Sequence, residues 1–199
     1  MMKGRVIFLL EEPSMKALLK ELIPRLYPHW EEKTHFLLIP HEGKSDLDKS
    51  IPIKLKAWQY PNDRFIILRD NDNANCIALK SKIIEQCKSA NRPDTLIRLV
   101  CQELESWYLG DLAALSQAFQ NPKLDSPKLA KRFAAPDAWQ KPSHEIARLV
   151  PEFQKISGGR RMGAALRLHN GITAVQNNSK SFQVFISGLH RIEQEMSNE

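Results

Sequence analysis

Four short apolar runs, separated by amphipathic stretches, constrain this chain more than any other feature. "VIFLL" (6–10), "FLLI" (36–39), "RFIILRD" (64–70) and "TLIRLVC" (95–101) are rich in Val, Ile, Leu and Phe. Each is short and bounded by polar or turn-forming residues, and so reads as a buried strand. After the first run, Pro13 and Ser14 mark a turn. Leu18, Leu19, Leu22 and Leu26 then recur at helical spacing, which predicts a helix disturbed at Pro24 or stopped by Pro28. A second helix is expected from Ser45 or Asp46, and Ile53, Leu55 and Trp58 point to a separate short helix after Pro52. A third is expected from Asn75 to Ala90, with Ile77, Leu79, Ile83, Ile84 and Cys87 on its apolar side. Strand and helix alternate about every 30 residues, the length of one βαβ unit. The expected fold class is therefore α/β: a Rossmann-like, mostly parallel sheet with flanking helices.

After residue 101 no further strand is expected. "ELESWYLGDLAALSQAF" has helical spacing through Leu104, Trp107, Tyr108, Leu112, Leu115 and Phe119, with Trp107 and Tyr108 read as core, and prolines at 122, 127, 136, 142 and 151 punctuate the rest of the chain. The expected division is an α/β core over residues 1–120 and a helical C-terminal extension over 121–199 packed on it.

In a parallel sheet the functional crevice lies outside the carboxyl ends of the strands. The residues leaving those ends are Glu11, the loop from His41 to Lys44, Asp70 with Asp72, and Glu103 with Glu105. "DND" after a strand has two readings. Its side chains cap a turn or the next helix, or its two carboxylates ligate Mg²⁺ or Mn²⁺, because hard cations take oxygen ligands and alternate residues of an extended backbone reach one ion. Glu11 adds a third carboxylate at the same sheet edge, and a divalent cation is the simplest relief for their mutual repulsion. Glu103 and Glu105 share a side if that segment is extended. If it is the first turn of a helix they diverge and act as favourable charges at its N-terminus.

Composition narrows the classes. The net charge of +6 and pI near 9.3 are compatible with nucleic-acid contact. No run approaches the roughly 18 to 20 apolar residues that span a bilayer, so the chain is read as cytoplasmic. Cys76, Cys87 and Cys101 form no CxxC pair, which argues against a zinc knuckle and a disulfide framework, and they are expected to be buried thiols. His41 lies near the crevice, whereas His29, His35, His144, His169 and His190 show no metal-ligand spacing. "SGGRRMG" lacks the P-loop pattern but sets Arg160 and Arg161 among glycines, and together with Lys44 they are the candidates for nucleic-acid contact.

"LLEEPS", "HEGKSDL", "ILRDNDNANC", "CQELESWYLGD" and "NNSKSF" together resemble a family of small bacterial Toprim-like proteins, often encoded beside an ABC-type ATPase and related to the Toprim domains of overcoming-lysogenization-defect (OLD) type nucleases. The resemblance implies a Toprim-like core and Mg²⁺-dependent (or Mn²⁺-dependent) phosphodiester hydrolysis. Glu11, Asp70 and Asp72 would be catalytic and metal-binding, with Glu103 or Glu105 at a second ion. It also implies DNA or RNA as substrate, an ATPase partner and a role in phage defence, and it is compatible with a homodimer. One departure stands out: where such nucleases often read Glu-Gly-x-Thr/Ser-Glu, this chain has Glu11-Glu12-Pro13-Ser14-Met15. The alternative is accordingly a non-catalytic Toprim-like subunit that regulates or anchors an ATPase. A haloacid-dehalogenase phosphatase is disfavoured, since its DxD lies on the first strand and here the motif follows the third.

Overall fold

The computed structural model describes residues 4–168 and 176–198. His169 lies outside the described residues. Four strands, β1 (Val6–Leu10), β2 (Phe36–Pro40), β3 (Arg64–Asp70) and β4 (Leu96–Val100), form one sheet in the order β2-β1-β3-β4. Every pairing is parallel. The expected α/β class with a parallel sheet and flanking helices is what the chain adopts. All five residues of β1 are buried, as an uninterrupted apolar run in a central strand requires. Because β2 lies on one side of β1 and β3 on the other, the strand order reverses between β1 and β3, and the connections leaving their carboxyl ends part to opposite sides, where such sheets form a crevice.

Helices α1 (Pro13–Leu26), α2 (Lys44–Ala57) and α3 (Cys76–Ser89) connect the strands. Residues after β4 form α4 (Glu105–Leu109), α5 (Leu112–Ala118), α6 (Pro127–Arg132), α7 (Pro142–Leu149), α8 (Lys155–Ala165) and α9 (Lys180–Asn198), with single 3₁₀ turns at Pro122–Leu124 and Pro136–Ala138. Alternation of side chains along β1 divides the core. Val6, Phe8 and Leu10 face a large cluster with α1 and the C-terminal helices, through Leu18, Trp107 and Phe182. Ile7 and Leu9 face a smaller one with Leu47, Ile51, Leu55, Ile83 and Cys87 of α2 and α3.

Three local expectations need correction. Pro52 does not begin a separate helix but sits inside α2. Its missing N–H would leave the Asp48 carbonyl unpaired, and the Gln86 side-chain amide donates to that carbonyl instead, at 3.1 Å. Ile77 is not on the buried side of α3 but is 80% exposed, because only the stripe through Ile83 and Cys87 meets the sheet. Of the three free thiols only Cys87 is buried; Cys76 is exposed and Cys101 half-buried.

The tightest helix packing involves the glycines of "SGGRRMG". A Cβ on Gly159 would sit 2.7 Å from the Ser14 carbonyl oxygen, and one on Gly163 would sit 2.2 Å from that of Leu18. The spacing of four puts both on one face of α8, so α8 lies directly against the α1 backbone. This contact brings Lys155, the first residue of α8, to the residues that precede α1.

Candidate functional site

The crevice begins with Glu11, which leaves β1 at the point of strand reversal. Glu11 is 8% exposed. Its carboxylate accepts the Asp70 backbone N–H at 3.0 Å and lies 3.8 Å from the Arg69 guanidinium. Arg69 is itself held by Asp48 at 2.6 Å. Burial, and then the charge of Asp72, push the Glu11 carboxyl up to about 7.

Asp70, the last residue of β3, is 6% exposed, and its Oδ1 has no hydrogen-bond partner. Burial raises its carboxyl well above the usual range, and Glu11, Glu12, Glu105 and Asp72 raise it further. The chain does not continue extended to Asp72. Asp72 and Asn73 both adopt positive φ, 46° and 62°, in the left-handed region that Asp and Asn tolerate better than most residues. Asp72 thereby reaches Lys44, whose ammonium lies 2.8 Å away. The β4–α4 segment holds this turn. The Asp72 N–H donates to the Gln102 carbonyl at 3.1 Å, the Asn73 N–H to the Gln102 side chain at 2.8 Å, and the Gln102 N–H to the Asn71 side chain.

The two readings of "DNDNAN" therefore divide by residue type. The asparagines do the capping and bracing: Asn75 accepts the Ala78 N–H at the start of α3, at 3.0 Å, and the Asn71 amide donates to the Ala74 carbonyl at 3.1 Å. The aspartates cap nothing; Asp70 keeps a bare buried oxygen and Asp72 an ion pair.

Glu103 and Glu105 diverge, since α4 starts at Glu105. Glu103 turns outward and accepts the Ser143 N–H near the start of α7 at 2.8 Å. Glu105 turns inward, is 2% exposed, and has no partner for Oε2. Burial moves it up to about 7; Lys155 opposes that shift while Glu12 and Glu103 reinforce it. Three residues that the sequence did not assign to the site complete it. Glu12 pairs with Lys155 at 3.2 Å. Burial works against the Lys155 charge, yet Glu105, Glu12 and Asp70 hold its ammonium above the ordinary lysine value. Tyr108, 1% exposed, has an unpartnered hydroxyl, pushed upward by burial and then by Glu105, Glu12 and Asp70. The glycine spacing after Lys155 was the one sequence signal for it.

His41 is buried, with Nδ1 2.9 Å from the Leu10 carbonyl oxygen. A carbonyl only accepts, so Nδ1 is the donor. Arg160 and Arg161 are exposed on α8, and the Arg161 guanidinium lies 5.3 Å from the centre of the Phe119 ring. The "NNSKSF" segment is a clasp: Asn177 donates to the Trp107 carbonyl at 2.8 Å, and the Ser179 hydroxyl accepts the Phe182 N–H at the start of α9 at 3.2 Å.

The site thus gathers five carboxylates, Glu11, Glu12, Asp70, Asp72 and Glu105, with Lys44 paired to Asp72 and Lys155 to Glu12. Among the described residues no three His, Cys, Asp or Glu side chains already converge as a metal cage. The donor set nonetheless suits a hard divalent cation: it is all oxygen, and two of its buried oxygens, Asp70 Oδ1 and Glu105 Oε2, lack any partner. An unpaired buried carboxylate is costly, and Asp70 and Glu105 each keep such an oxygen, which makes them candidates for a functional role.

Among solved structures the chain is similar to the C-terminal region of the Burkholderia pseudomallei OLD protein, with 14% identity over 94% of this chain and 98% of that one, and a TM-score of 0.52. At that identity the likeness is one of fold. The curated proteins include no match. No helix among the described residues is long and apolar enough to cross a membrane. Residues 10–190 match the family described as Domain of unknown function (DUF4276), and the chain belongs to that family.

Proposed function

We propose that this protein is a divalent-metal-dependent phosphodiesterase acting on nucleic acid, with its active site in the crevice between β1 and β3. The observation that carries the reading is the pair of partnerless buried oxygens, Asp70 Oδ1 and Glu105 Oε2, inside a cluster whose carboxyls are raised by burial and by one another. Glu11, Asp70, Asp72 and Glu105 would hold Mg²⁺ or Mn²⁺. When bound, the cation supplies Lewis-acid polarisation of a phosphoryl oxygen and offsets the charge between phosphate and carboxylates. The protein's own contribution is positional. Arg69, clamped by Asp48, orients Glu11; Gln102 and Asn71 fix the turn that presents Asp72. Lys155 and Lys44 at the rim attract a phosphate that the bare carboxylates would repel. Glu103 is left to the start of α7, so Glu105 is the acid assigned to the site from that pair.

The fold likeness to the OLD C-terminal region is consistent with this chemistry, and an ATPase partner and phage defence belong to the same proposal. A specific observation favours the non-catalytic reading as the alternative: Met15, at the position of the second Toprim acid, is wholly buried in the large apolar cluster and cannot serve the crevice as a ligand. Incubating purified protein with labelled single-stranded and duplex DNA and RNA, with Mg²⁺, Mn²⁺ or EDTA, separates the two. Metal-dependent cleavage that disappears in Asp70→Asn supports the enzyme. Absence of both cleavage and calorimetric metal binding in the folded protein refutes it.

A further inference from the structure

Beside the crevice, an open cleft of about 580 Å³ is lined by Ala138, Trp139, Gln140, Lys141, His144, Glu145 and Arg148. Its volume falls in the range of small-ligand sites. The Trp139 indole is half-buried and firmly backed: the Phe133 ring packs on it at 5.1 Å between centres, and the Arg132 guanidinium lies 5.1 Å from its ring centre. Lys141, His144 and Arg148 are exposed around it. The carboxylate in the lining, Glu145, is neutralised by Arg132 at 2.6 Å and Arg148 at 3.0 Å, so the cleft presents an indole within a cationic border.

The cleft is also tied to the carboxylate cluster. Asn73, next to Asp72, donates from its side chain to the Gln140 carbonyl at 3.3 Å. Glu103, two residues from Glu105, accepts the Ser143 N–H. Both contacts set the cleft next to the turn that carries Asp72 and the segment that carries Glu105, so a strand leaving the crevice on that side meets the cleft. Aromatic faces with nearby cations are how proteins hold unpaired bases and their phosphates, and a base within a duplex offers no free face to stack.

We infer that this cleft is a subsite for an unpaired nucleotide of a single-stranded segment, its base stacked on Trp139 and its phosphates met by Lys141 and Arg148. The inference rests on the phosphodiesterase reading for its location but is tested without cleavage. Binding of a fluorescein-labelled ten-nucleotide oligothymidylate is followed by anisotropy in EDTA, with a blunt-ended two-strand DNA duplex as comparison. Trp139→Ala is expected to weaken oligothymidylate binding about tenfold while Trp139→Phe retains most of it and duplex binding is little changed. Lys141→Ala and Arg148→Ala are each expected to lower the salt slope by about one. Three results overturn the inference: no oligothymidylate binding, a Trp139→Ala effect below twofold in a protein with unchanged circular dichroism, or displacement of the oligonucleotide from the cleft by polyglutamate at lower concentration than by oligothymidylate. If Trp139→Ala does not fold, Lys141→Glu gives the same decision. Metal-dependent cleavage is scored separately: Trp139-dependent binding with neither cleavage nor calorimetric metal binding keeps the subsite and ends the enzyme reading, and cleavage with Trp139-independent binding does the reverse.

Discussion

Replacing Glu105 by Gln should stabilise the metal-free protein at alkaline pH, the reverse of what loss of a buried polar side chain ordinarily does. The Glu105 carboxyl is pushed up from 4.5 to about 7 by burial in spite of Lys155. Below pH 4.5 the group is protonated in both folded and unfolded states and contributes no pH dependence. As pH rises from 4.5 to 7 the unfolded chain ionises first, so stability falls; above 7 both states are ionised and the loss is complete. A shift of about 2.5 units at about 1.4 kcal/mol each sets that loss at about 3 kcal/mol. Glu105 is 2% exposed, so solvent screening reduces this little. Gln has nearly the same shape and no charge. Urea unfolding in EDTA at pH 4.5, 6, 7 and 8 should therefore show Glu105→Gln about equal to the parent at pH 4.5 and more stable by about 2 to 3 kcal/mol at pH 8. Adding Mg²⁺ at pH 8 should close the gap by stabilising the parent more than the variant. A variant that is less stable at pH 8, or that has the same pH slope as the parent, refutes the reasoning.

Further expectations concern neighbouring parts of the site. Asp70→Asn, which removes a carboxyl raised by burial and by four acids, should abolish metal-dependent cleavage and raise the apo melting temperature at pH 8. Gly163→Ala places a Cβ 2.2 Å from the Leu18 carbonyl oxygen. It should cost about 2 to 4 kcal/mol in denaturant unfolding, through helix separation of the kind that overpacking causes. Lys155→Met, which withdraws the cation from Glu12, should lower cleavage at least tenfold while leaving the fold intact by circular dichroism, and Lys155→Arg should restore part of it. Asn73→Ala, at φ 62°, should lose about 1 kcal/mol and Asn73→Gly should not, as measured by melting temperature.

Local patterning was enough to place the sheet and half of the candidate crevice. Burial periodicity is local: five consecutive apolar residues in β1 report a strand covered on both faces, and the carboxylates at the ends of β1 and β3 follow from where those runs stop. Glu11 and Asp70 were legible for that reason. The division of labour within "DNDNAN" was not, because asparagine and aspartate have similar turn propensities; the Gln102 segment decides it by engaging the Asn71 side chain and the Asn73 N–H and neither aspartate carboxylate. The choice between Glu103 and Glu105 waited on where α4 begins, and the continuity of α2 through Pro52 on a Gln86 side chain 38 positions from the Asp48 carbonyl it serves. Glu12 and Lys155 are 143 positions apart. Their meeting requires α8 to lie against α1 with no side chain between, which Gly159 and Gly163 permit. Local patterning selects elements over a few residues, whereas convergence of charge depends on how closely packed surfaces approach, and that is settled only when the core closes.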